Sequence, residues 1–469
     1  MALAMRQFDL AIIGGGPGGY VAAIRASQLG LRVALIERDG LGGTCTHRGC
    51  IPTKALLRSA EVYRLARAGE EFGVRADGVR FDLKAAMARK DSIVSRLAKG
   101  IEFLMASNGV EVLRGEGHLR PGRTVEVRGG EGASEIRFGK LIIATGSAPM
   151  MLPIPGAGSQ GVITSDEALR LDEVPESLIV IGGGAVGLEF AALFGDLGSR
   201  VTVLEMMPQV LPGEDREAAE AMAKALRRRG IAIEVESRVS SIGDGPDGLK
   251  IVRAVGKGGE RAFEGQLVLM AAGRVPNTKG FGFEEAGIAL DRGGRIIVND
   301  RMETSVPGIY AVGDAVGRQM LAHSAMAEGI VAAENAAGLD SRIDYALIPR
   351  CVYGEPELAS VGLSEAEARE THGKIVVGRF PMLANGRALT LGEREGFVKL
   401  VADAEYKALL GAQIVGPNAS ELIHEIAVAM RSECTLECLA EAIHAHPTLA
   451  EAIKEAALDG LGRALHMHR

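Results

Sequence analysis

Cysteine is scarce in this chain, with five residues among 469. So few cannot staple a secreted disulfide scaffold of this size, which points to a reducing, cytoplasmic setting. A close cysteine pair in such a compartment is usually catalytic. Positive charge is not in excess either. Lys and Arg total 53 against 60 Asp and Glu, a formal net charge of −7, and no basic run suggests nucleic acid or a membrane surface as a partner. The first six residues, Met1-Ala2-Leu3-Ala4-Met5-Arg6, are too short and too poor in apolar side chains for a secretory leader. One apolar run, 178–197, approaches membrane-span length. It holds Gly182, Gly183, Gly184, Gly187 and Glu189, so a strand, a glycine turn and a helix explain it better than membrane insertion.

Glycine is abundant, at 63 residues, which suggests tight turns and close approach of backbone to ligand. The apolar run 8–13 enters Gly14-x-Gly16-x-x-Gly19, a helical stretch follows over 20–29, and a second strand, 33–36, ends at Glu37. In such a βαβ unit the first glycine makes the turn, the second admits a pyrophosphate, and the third packs helix on strand. An acid placed like Glu37 binds the adenosine ribose. The pattern recurs. Residues 178–181 lead into Gly182-x-Gly184-x-x-Gly187, and the strand 201–204 ends at Glu205. The acid follows the last glycine by 18 residues in both copies (37 − 19 and 205 − 187). One such motif is weak; two in the same register imply two bound dinucleotides.

Length allows roughly three domains. Residues 54–100 read as two helices joined by a loop, and 110–146 as short strands. Pro149, Pro153 and Pro155 mark a linker, and another precedes Asn277. From Ile348 onward, strands such as 396–401 give way to helices rich in Ala and Glu, ending in a helix over 449–457 and a His-bearing tail. The expected class is α/β: two Rossmann-like dinucleotide-binding domains plus a C-terminal α+β domain. The expected divisions are 1–149 with 277–346, then 150–276, then 347–469.

Three clusters carry chemistry. Cys45 and Cys50 follow the first glycine loop, and Ile51-Pro52-Thr53-Lys54 after Cys50 reads as a helix start. A cysteine at a helix N-terminus favours its thiolate, so the pair suits redox exchange with a flavin. The competing readings are two packed structural thiols or half of a C-x4-C metal site. No second pair of metal-ligand spacing adjoins it, and no metal is expected. The apolar run 304–312 ends in Gly313-Asp314, leaving a carboxylate where a ribityl hydroxyl could be gripped. Read with the first glycine motif, it favours FAD in that domain. Finally, His446 stands five residues before Glu451, across Pro447. A His–carboxylate pair orients the imidazole and raises its basicity, and dithiol chemistry needs a base. Taken alone, His446 would be a surface-loop histidine.

With these motifs in place, the chain resembles the class I pyridine nucleotide-disulfide oxidoreductases nearly end to end, most closely those acting on dihydrolipoyl groups. The resemblance lies in residues 18–25, 320–323, 380–388 and 446–449. Glutathione and mercuric reductases share the fold and the disulfide, but the cysteine pair at the very C-terminus and the N-terminal metal-binding extension of the mercuric type are not expected here, Cys434 and Cys438 lying well before the end of the chain. Glu205, where NADPH users tend to carry basic residues, favours NAD, because a carboxylate repels a 2′-phosphate. The resemblance implies a homodimer that oxidises a lipoylated carrier protein with NAD⁺ through FAD. Cys45 would be the interchange thiol, and Cys50 the thiol in charge-transfer contact with the flavin. His446, oriented by Glu451, would be the acid–base, reaching the disulfide from the other subunit. Glu37, Lys54, Gly117, Asp314 and Ala322 would contact FAD, with Lys54 paired to Glu189. Gly182 to Gly187, Glu205, Val239 and Gly273 would contact NAD.

The resemblance leaves two alternatives: a flavin-dependent reductase of another disulfide or of a metal, and a non-catalytic subunit that binds lipoyl domains. Thr46, His47 and Arg48 depart from the family's usual apolar–Asn–apolar run. Two cations beside a dithiol would favour thiolate and raise the disulfide potential, unless they face solvent or a structural acid. Cys351 reads as core, and Cys434 and Cys438 read as packed thiols at i and i+4.

Overall fold

The computed structural model describes residues 6–129 and 132–467. Its Cα packing divides into two compact units.

The first unit comprises Met1–Leu56, Lys84–Met150 and Gly273–Ile343. Its sheet runs in the order Glu111–Arg114, Val33–Glu37, Arg6–Ile13, Gly132–Ile143, Thr124–Gly129, Glu116–Arg120, with Ile309–Ala311 added beside Gly132–Ile143. The strands at 6–13, 33–37, 111–114 and 309–311 are parallel, in register Leu10↔Val33 through Ile13↔Ile36. Leu10, Ala11 and Ile12 are fully buried, as a parallel sheet covered on both faces requires. The first helix is Pro17–Gln28. It therefore opens three residues before the expected start at Tyr20, because Pro17 takes the first helical turn, where its missing N–H costs nothing. The helix buries Gly18, Gly19, Ala22, Ala23 and Ala26 and packs on the helix Ala322–Ala336 at backbone distance. A methyl on Gly329 would lie 2.4 Å from the Gly18 carbonyl oxygen, so neither glycine position admits a side chain.

The second unit comprises Leu57–Leu83, Met151–Ala272 and Asp344–Arg469. Its parallel sheet, Ala232–Glu234, Arg200–Leu204, Ser177–Ile181, Leu267–Met270 and Val162–Ile163, repeats the first unit's central topology. The run 178–197 is indeed the strand Ser177–Ile181 and the helix Ala185–Asp196, divided by the glycine turn. Among the described residues, no helix is long and apolar enough to cross a membrane. A three-stranded antiparallel sheet follows, Arg238–Asp244, Lys250–Gly256 and Gly259–Gly265. The last segment builds a five-stranded antiparallel sheet in the order Arg350–Val352, Glu357–Gly362, Leu409–Gly416, Phe397–Asp403, Ile375–Pro381. The helices Ala419–Arg431, Leu436–Glu441 and Glu451–Gly460 contribute Ile423, Ile426, Leu436, Ile453 and Ala456 to its apolar core.

Candidate active site

Both glycine loops reach the same geometry from the same residues. Gly14 and Gly182 adopt φ of 106° and 110°, a region open to glycine. Methyl groups there would sit 2.2 Å from the Ala144 carbonyl oxygen and 2.4 Å from that of Ala271. On Gly19 and Gly187 they would lie 1.8 Å and 2.0 Å from the carbonyl oxygens of Gly14 and Gly182. The middle glycines, Gly16 and Gly184, face open space with nothing closer than 4.0 Å, which is the room a pyrophosphate needs.

The two acids are gripped alike. Glu37 accepts the N–H of Gly15 at 2.6 Å and of Asp39 at 2.7 Å. Glu205 accepts those of Gly183 and Met207, both at 2.7 Å. Each carboxylate is nearly buried and has lone pairs left for ribose hydroxyls. A buried hydroxyl, Thr145 Oγ1, has no hydrogen-bond partner among the described residues, although its backbone adjoins the Gly14 turn. Such a group calls for a ligand. The residues present therefore fit a dinucleotide at each loop.

The cysteines belong to the first loop. Gly42 donates its N–H to the Gly15 carbonyl at 2.8 Å, and a methyl on Gly43 would lie 2.7 Å from Gly16 Cα. Gly43 opens the short helix Gly43–Arg48, which carries Cys45; the chain breaks at Gly49, and Cys50 opens the helix Cys50–Arg67. Both cysteines are in the reduced, thiol form. The Cys45 thiol is pushed far up, first by its hydrogen bond to the Cys50 sulfur and then by burial, against the pull of the Lys54 ammonium. Tyr20 stands close by, its phenol pushed up by burial and then by Cys45.

His47 and Arg48, between the cysteines, have partners on the loop after Glu37. Arg48 Nη2 pairs with Asp39 Oδ2 at 2.7 Å, and the guanidinium holds that carboxyl below its usual range. His47 Nε2 lies 2.9 Å from the Leu41 carbonyl oxygen. A side chain on Gly40 would meet the His47 ring at 2.6 Å. His47 and Arg48 therefore fasten the Cys45 helix to the loop that follows Glu37.

Other candidate FAD residues fall in this same unit. Gly117 lies on the strand Glu116–Arg120, where a methyl would meet Ile13 and Ile36 at 3.2 and 3.3 Å. Ala322 is the first residue of the helix Ala322–Ala336. Asp314 accepts the Ser147 hydroxyl, and Ser147 Oγ accepts Arg274 Nε at 2.6 Å. Sequence reasoning missed Ser147 and Arg274, which sit on the paired strands Ser147–Pro149 and Arg274–Pro276; their places beside Gly146 and Gly273 were the available signal. It also missed Glu328, a fully buried carboxylate that accepts the Gly313 N–H at 2.5 Å and so fixes the turn before Asp314.

In the second unit, Glu189 lies buried on the helix Ala185–Asp196 and accepts the Tyr353 N–H at 3.1 Å. Val239 is buried in the core with Ile181 and Leu204, which leaves its backbone as the part able to face a ligand. Gly273, at φ 124°, follows directly on this unit's chain and accepts the Met150 N–H at 2.9 Å.

His446 Nδ1 lies 2.9 Å from Glu451 Oε1, and the imidazole is 79% exposed, leaving Nε2 open. Glu451 Oε2 accepts the Thr448 N–H at 2.8 Å. Burial pushes the Glu451 carboxyl up, but the Thr448 N–H and His446 outweigh it and hold the group below its ordinary value. The neighbouring His444 is held by Glu425 at 2.8 Å, so the two histidines of the strap are anchored separately.

Comparison with known proteins agrees with this geometry. Residues 8–329 match the family model described as pyridine nucleotide-disulphide oxidoreductase, and 348–457 match that family's dimerisation domain. The chain is 45% identical to a dihydrolipoyl dehydrogenase of Thermus scotoductus, covering 99% of each protein. It is 42% identical to that of Bacillus subtilis, covering 98% of this chain and 99% of the relative. Among solved structures, LpdA of Mycobacterium tuberculosis superposes with a TM-score of 0.89 at 32% identity, over 97% of this chain and 99% of that one. The HOCl-induced flavoprotein disulfide reductase RclA of Escherichia coli gives 0.84 at 29% identity, over 96% and 99%. By fold, by its two dinucleotide loops and by these matches, the chain belongs to the pyridine nucleotide-disulphide oxidoreductase family, enzymes that use FAD and a nicotinamide dinucleotide.

Proposed function

We propose that this protein oxidises dihydrolipoyl groups with NAD⁺ through the Cys45–Cys50 pair. The observation that carries the reading is the attachment of the Cys45 helix to the first glycine loop, Gly42 to Gly15 and Gly43 against Gly16. That attachment supports a dithiol working beside the loop proposed to hold FAD.

The reaction begins with the pair as a disulfide. His446 Nε2 takes the proton of one substrate thiol, whose sulfur attacks Cys45 Sγ; the Cys45–Cys50 bond breaks, and Cys50 leaves as thiolate. The second substrate thiol passes its proton to Cys45 as its sulfur attacks the mixed disulfide. The substrate leaves as a cyclic disulfide, and the protein keeps the electron pair as Cys45 thiol and Cys50 thiolate. Glu451 holds the imidazole and stabilises its charged form. Bound FAD supplies a two-electron carrier between the dithiol and NAD⁺. Glu37, Lys54, Gly117, Asp314 and Ala322 are the residues proposed to hold FAD. Gly182, Gly184, Gly187, Glu189, Glu205, Val239 and Gly273 are those proposed for NAD and its surroundings.

The functional protein is a homodimer in which His446 serves the cysteines of the partner subunit, and it works in the cytoplasm on a lipoylated carrier protein. Its proposed domains are 1–149 with 277–346 for FAD, 150–276 for NAD and 347–469 for the interface. Steady-state assays test the substrate class. NAD⁺ reduction by dihydrolipoamide should far exceed NADPH-driven reduction of glutathione disulfide or of metal ions, and the reverse order would overturn the reading.

A further inference from the structure

One buried ammonium in the second unit has no part in the proposed reaction. Lys399, on the strand Phe397–Asp403, is 1% exposed. Its Nζ donates to Asp215 Oδ1 at 2.6 Å and to Glu217 Oε2 at 3.0 Å, with Glu365 Oε2 at 3.7 Å. Arg379 shares two of these acids, Nε to Glu217 at 3.1 Å and Nη2 to Glu365 at 2.6 Å. Beside them Arg350 Nε donates to Glu214 Oε1 at 2.8 Å, and the Ser360 hydroxyl donates to Glu214 Oε2 at 2.6 Å. Taking an ammonium out of water is costly, and apolar side chains of the same volume often fill such a place with no loss of stability. What the charges add is a fixed position for the backbone that carries the acids.

That backbone is the end of the loop that begins at Glu205. Glu205 fixes the start, accepting the N–H of Met207 at 2.7 Å. In the middle, Leu211 donates its N–H to the Gly183 carbonyl at 2.9 Å. It does so at a positive φ of 48°, which a leucine adopts only where its surroundings impose it. Val210 lies against the same glycine: a methyl on Gly183 would sit 3.2 Å from Val210 Cγ1 and from Glu205 Oε2. At the end, Glu214 donates its N–H to the Leu211 carbonyl at 2.8 Å. Asp215 caps the helix Arg216–Arg228, accepting the N–H groups of Glu217 and Ala218 on the same oxygen that Lys399 holds. Without Arg350 and Lys399, the left-handed Leu211 loses its ionic anchor on one side.

We propose that Lys399 and Arg350 are positioning residues for the dinucleotide at the second glycine loop. Through Asp215 and Glu214 they hold residues 206–214 on Gly183. Glu205 and the open space at Gly184 thereby keep the arrangement that takes an adenosine ribose and a pyrophosphate. The proposal rests on the assignment of NAD to that loop. The two residues act on binding of the adenosine half and not on the chemistry of Cys45 and Cys50.

The test uses the FAD-loaded protein and ADP-ribose, which carries the adenosine ribose and the pyrophosphate but accepts no hydride. In Arg350→Met, and in Lys399→Met, the inhibition constant of ADP-ribose against NAD⁺ should rise roughly 2- to 30-fold, and kcat/KM for NAD⁺ should fall by the same factor. In a ping-pong sequence kcat/KM for dihydrolipoamide reports the first half-reaction alone, and it should stay within about twofold of wild type. Arg350→Lys keeps the charge and should lie closer to wild type than Arg350→Met. Arg350 is 30% exposed, so its variant should fold, and it decides the matter where Lys399→Met does not fold. An ADP-ribose constant unchanged in Arg350→Met, or a fall in kcat/KM for dihydrolipoamide as large as that for NAD⁺, overturns the proposal. Glu205→Ala in the same assay separates the two readings. An ADP-ribose constant that it leaves unchanged defeats the placing of NAD itself; a rise there, with no change in Arg350→Met, defeats only the positioning role.

Discussion

Glu451→Gln isolates what the carboxylate does for His446. The charged oxygen at 2.9 Å from Nδ1 becomes a neutral amide of nearly the same shape, whose single oxygen can keep the bond from Nδ1–H only by giving up the Thr448 N–H, now held at 2.8 Å by the second carboxylate oxygen. A hydrogen bond to a charged group is worth about 1.5–3 kcal/mol, a neutral one about 0.5–1.5. The difference, roughly 1–2 kcal/mol, corresponds to about a 5- to 30-fold slower reduction of the protein disulfide by dihydrolipoamide. His446→Ala removes the base outright and should cost about 10²–10⁴-fold. Stopped-flow measurement of that half-reaction reads both variants without interference from NAD⁺. The stability difference has a definite sign. Glu451 is depressed in the folded chain, so its stabilising effect is complete above the unfolded carboxylate pKa of about 4.3 and disappears as pH falls through the lower folded value. Wild type should therefore unfold at higher denaturant than Glu451→Gln at pH 7, and the gap should close below about pH 4. An unchanged half-reaction rate in Glu451→Gln, or a loss equal to that of His446→Ala, would refute the division of roles between base and orienting acid.

Gly19→Ala would drive a methyl to 1.8 Å from the Gly14 carbonyl oxygen; the protein should purify with little FAD by absorbance, whereas Gly30→Ala, with open space around it but at φ 86°, should cost stability without such a loss of flavin. Glu205→Ala strands the N–H groups of Gly183 and Met207 and removes the ribose acceptor, so the KM for NAD⁺ should rise by roughly 5- to 150-fold, on about 1–3 kcal/mol, and discrimination against NADP⁺ should narrow. Arg48→Val breaks an exposed ion pair with Asp39, worth about 0.2–1 kcal/mol; the Cys45–Cys50 potential should move by no more than about 20 mV, and a larger shift in redox titration would mean that Arg48 acts on the thiols directly.

The doubled βαβ unit was legible because each copy is local: apolar strand, three glycines and acid lie within one short stretch of chain. The same holds for His446 and Glu451, which have only four residues between them, the first a proline. What escaped notice depends on distant partners. Asp314 was visible at the end of its strand, but its contacts come from Ser147 and Arg274 on the paired linker strands, and no periodicity joins them. For His47 and Arg48 the sequence left two directions open, toward the thiols or toward solvent or a structural acid, because it gives type and not direction. The fold turns them onto Leu41 and Asp39, where Gly40 leaves the space. Cys434 and Cys438 read as packed thiols at i and i+4, but Thr435 caps the helix Leu436–Glu441 between them, which leaves Cys434 partly buried before the cap and Cys438 exposed in the first turn.

The central claim is that the electron pair leaves the substrate through Cys45 and Cys50, and an anaerobic thiol count tests it most directly. One equivalent of dihydrolipoamide added to the oxidised protein, without NAD⁺, should expose two further alkylatable thiols per chain, mapped to Cys45 and Cys50, and Cys45→Ser should abolish both that gain and NAD⁺ reduction. NAD⁺ reduced at an undiminished rate by Cys45→Ser, or dihydrolipoamide consumed with no new thiol at either position, would contradict the account.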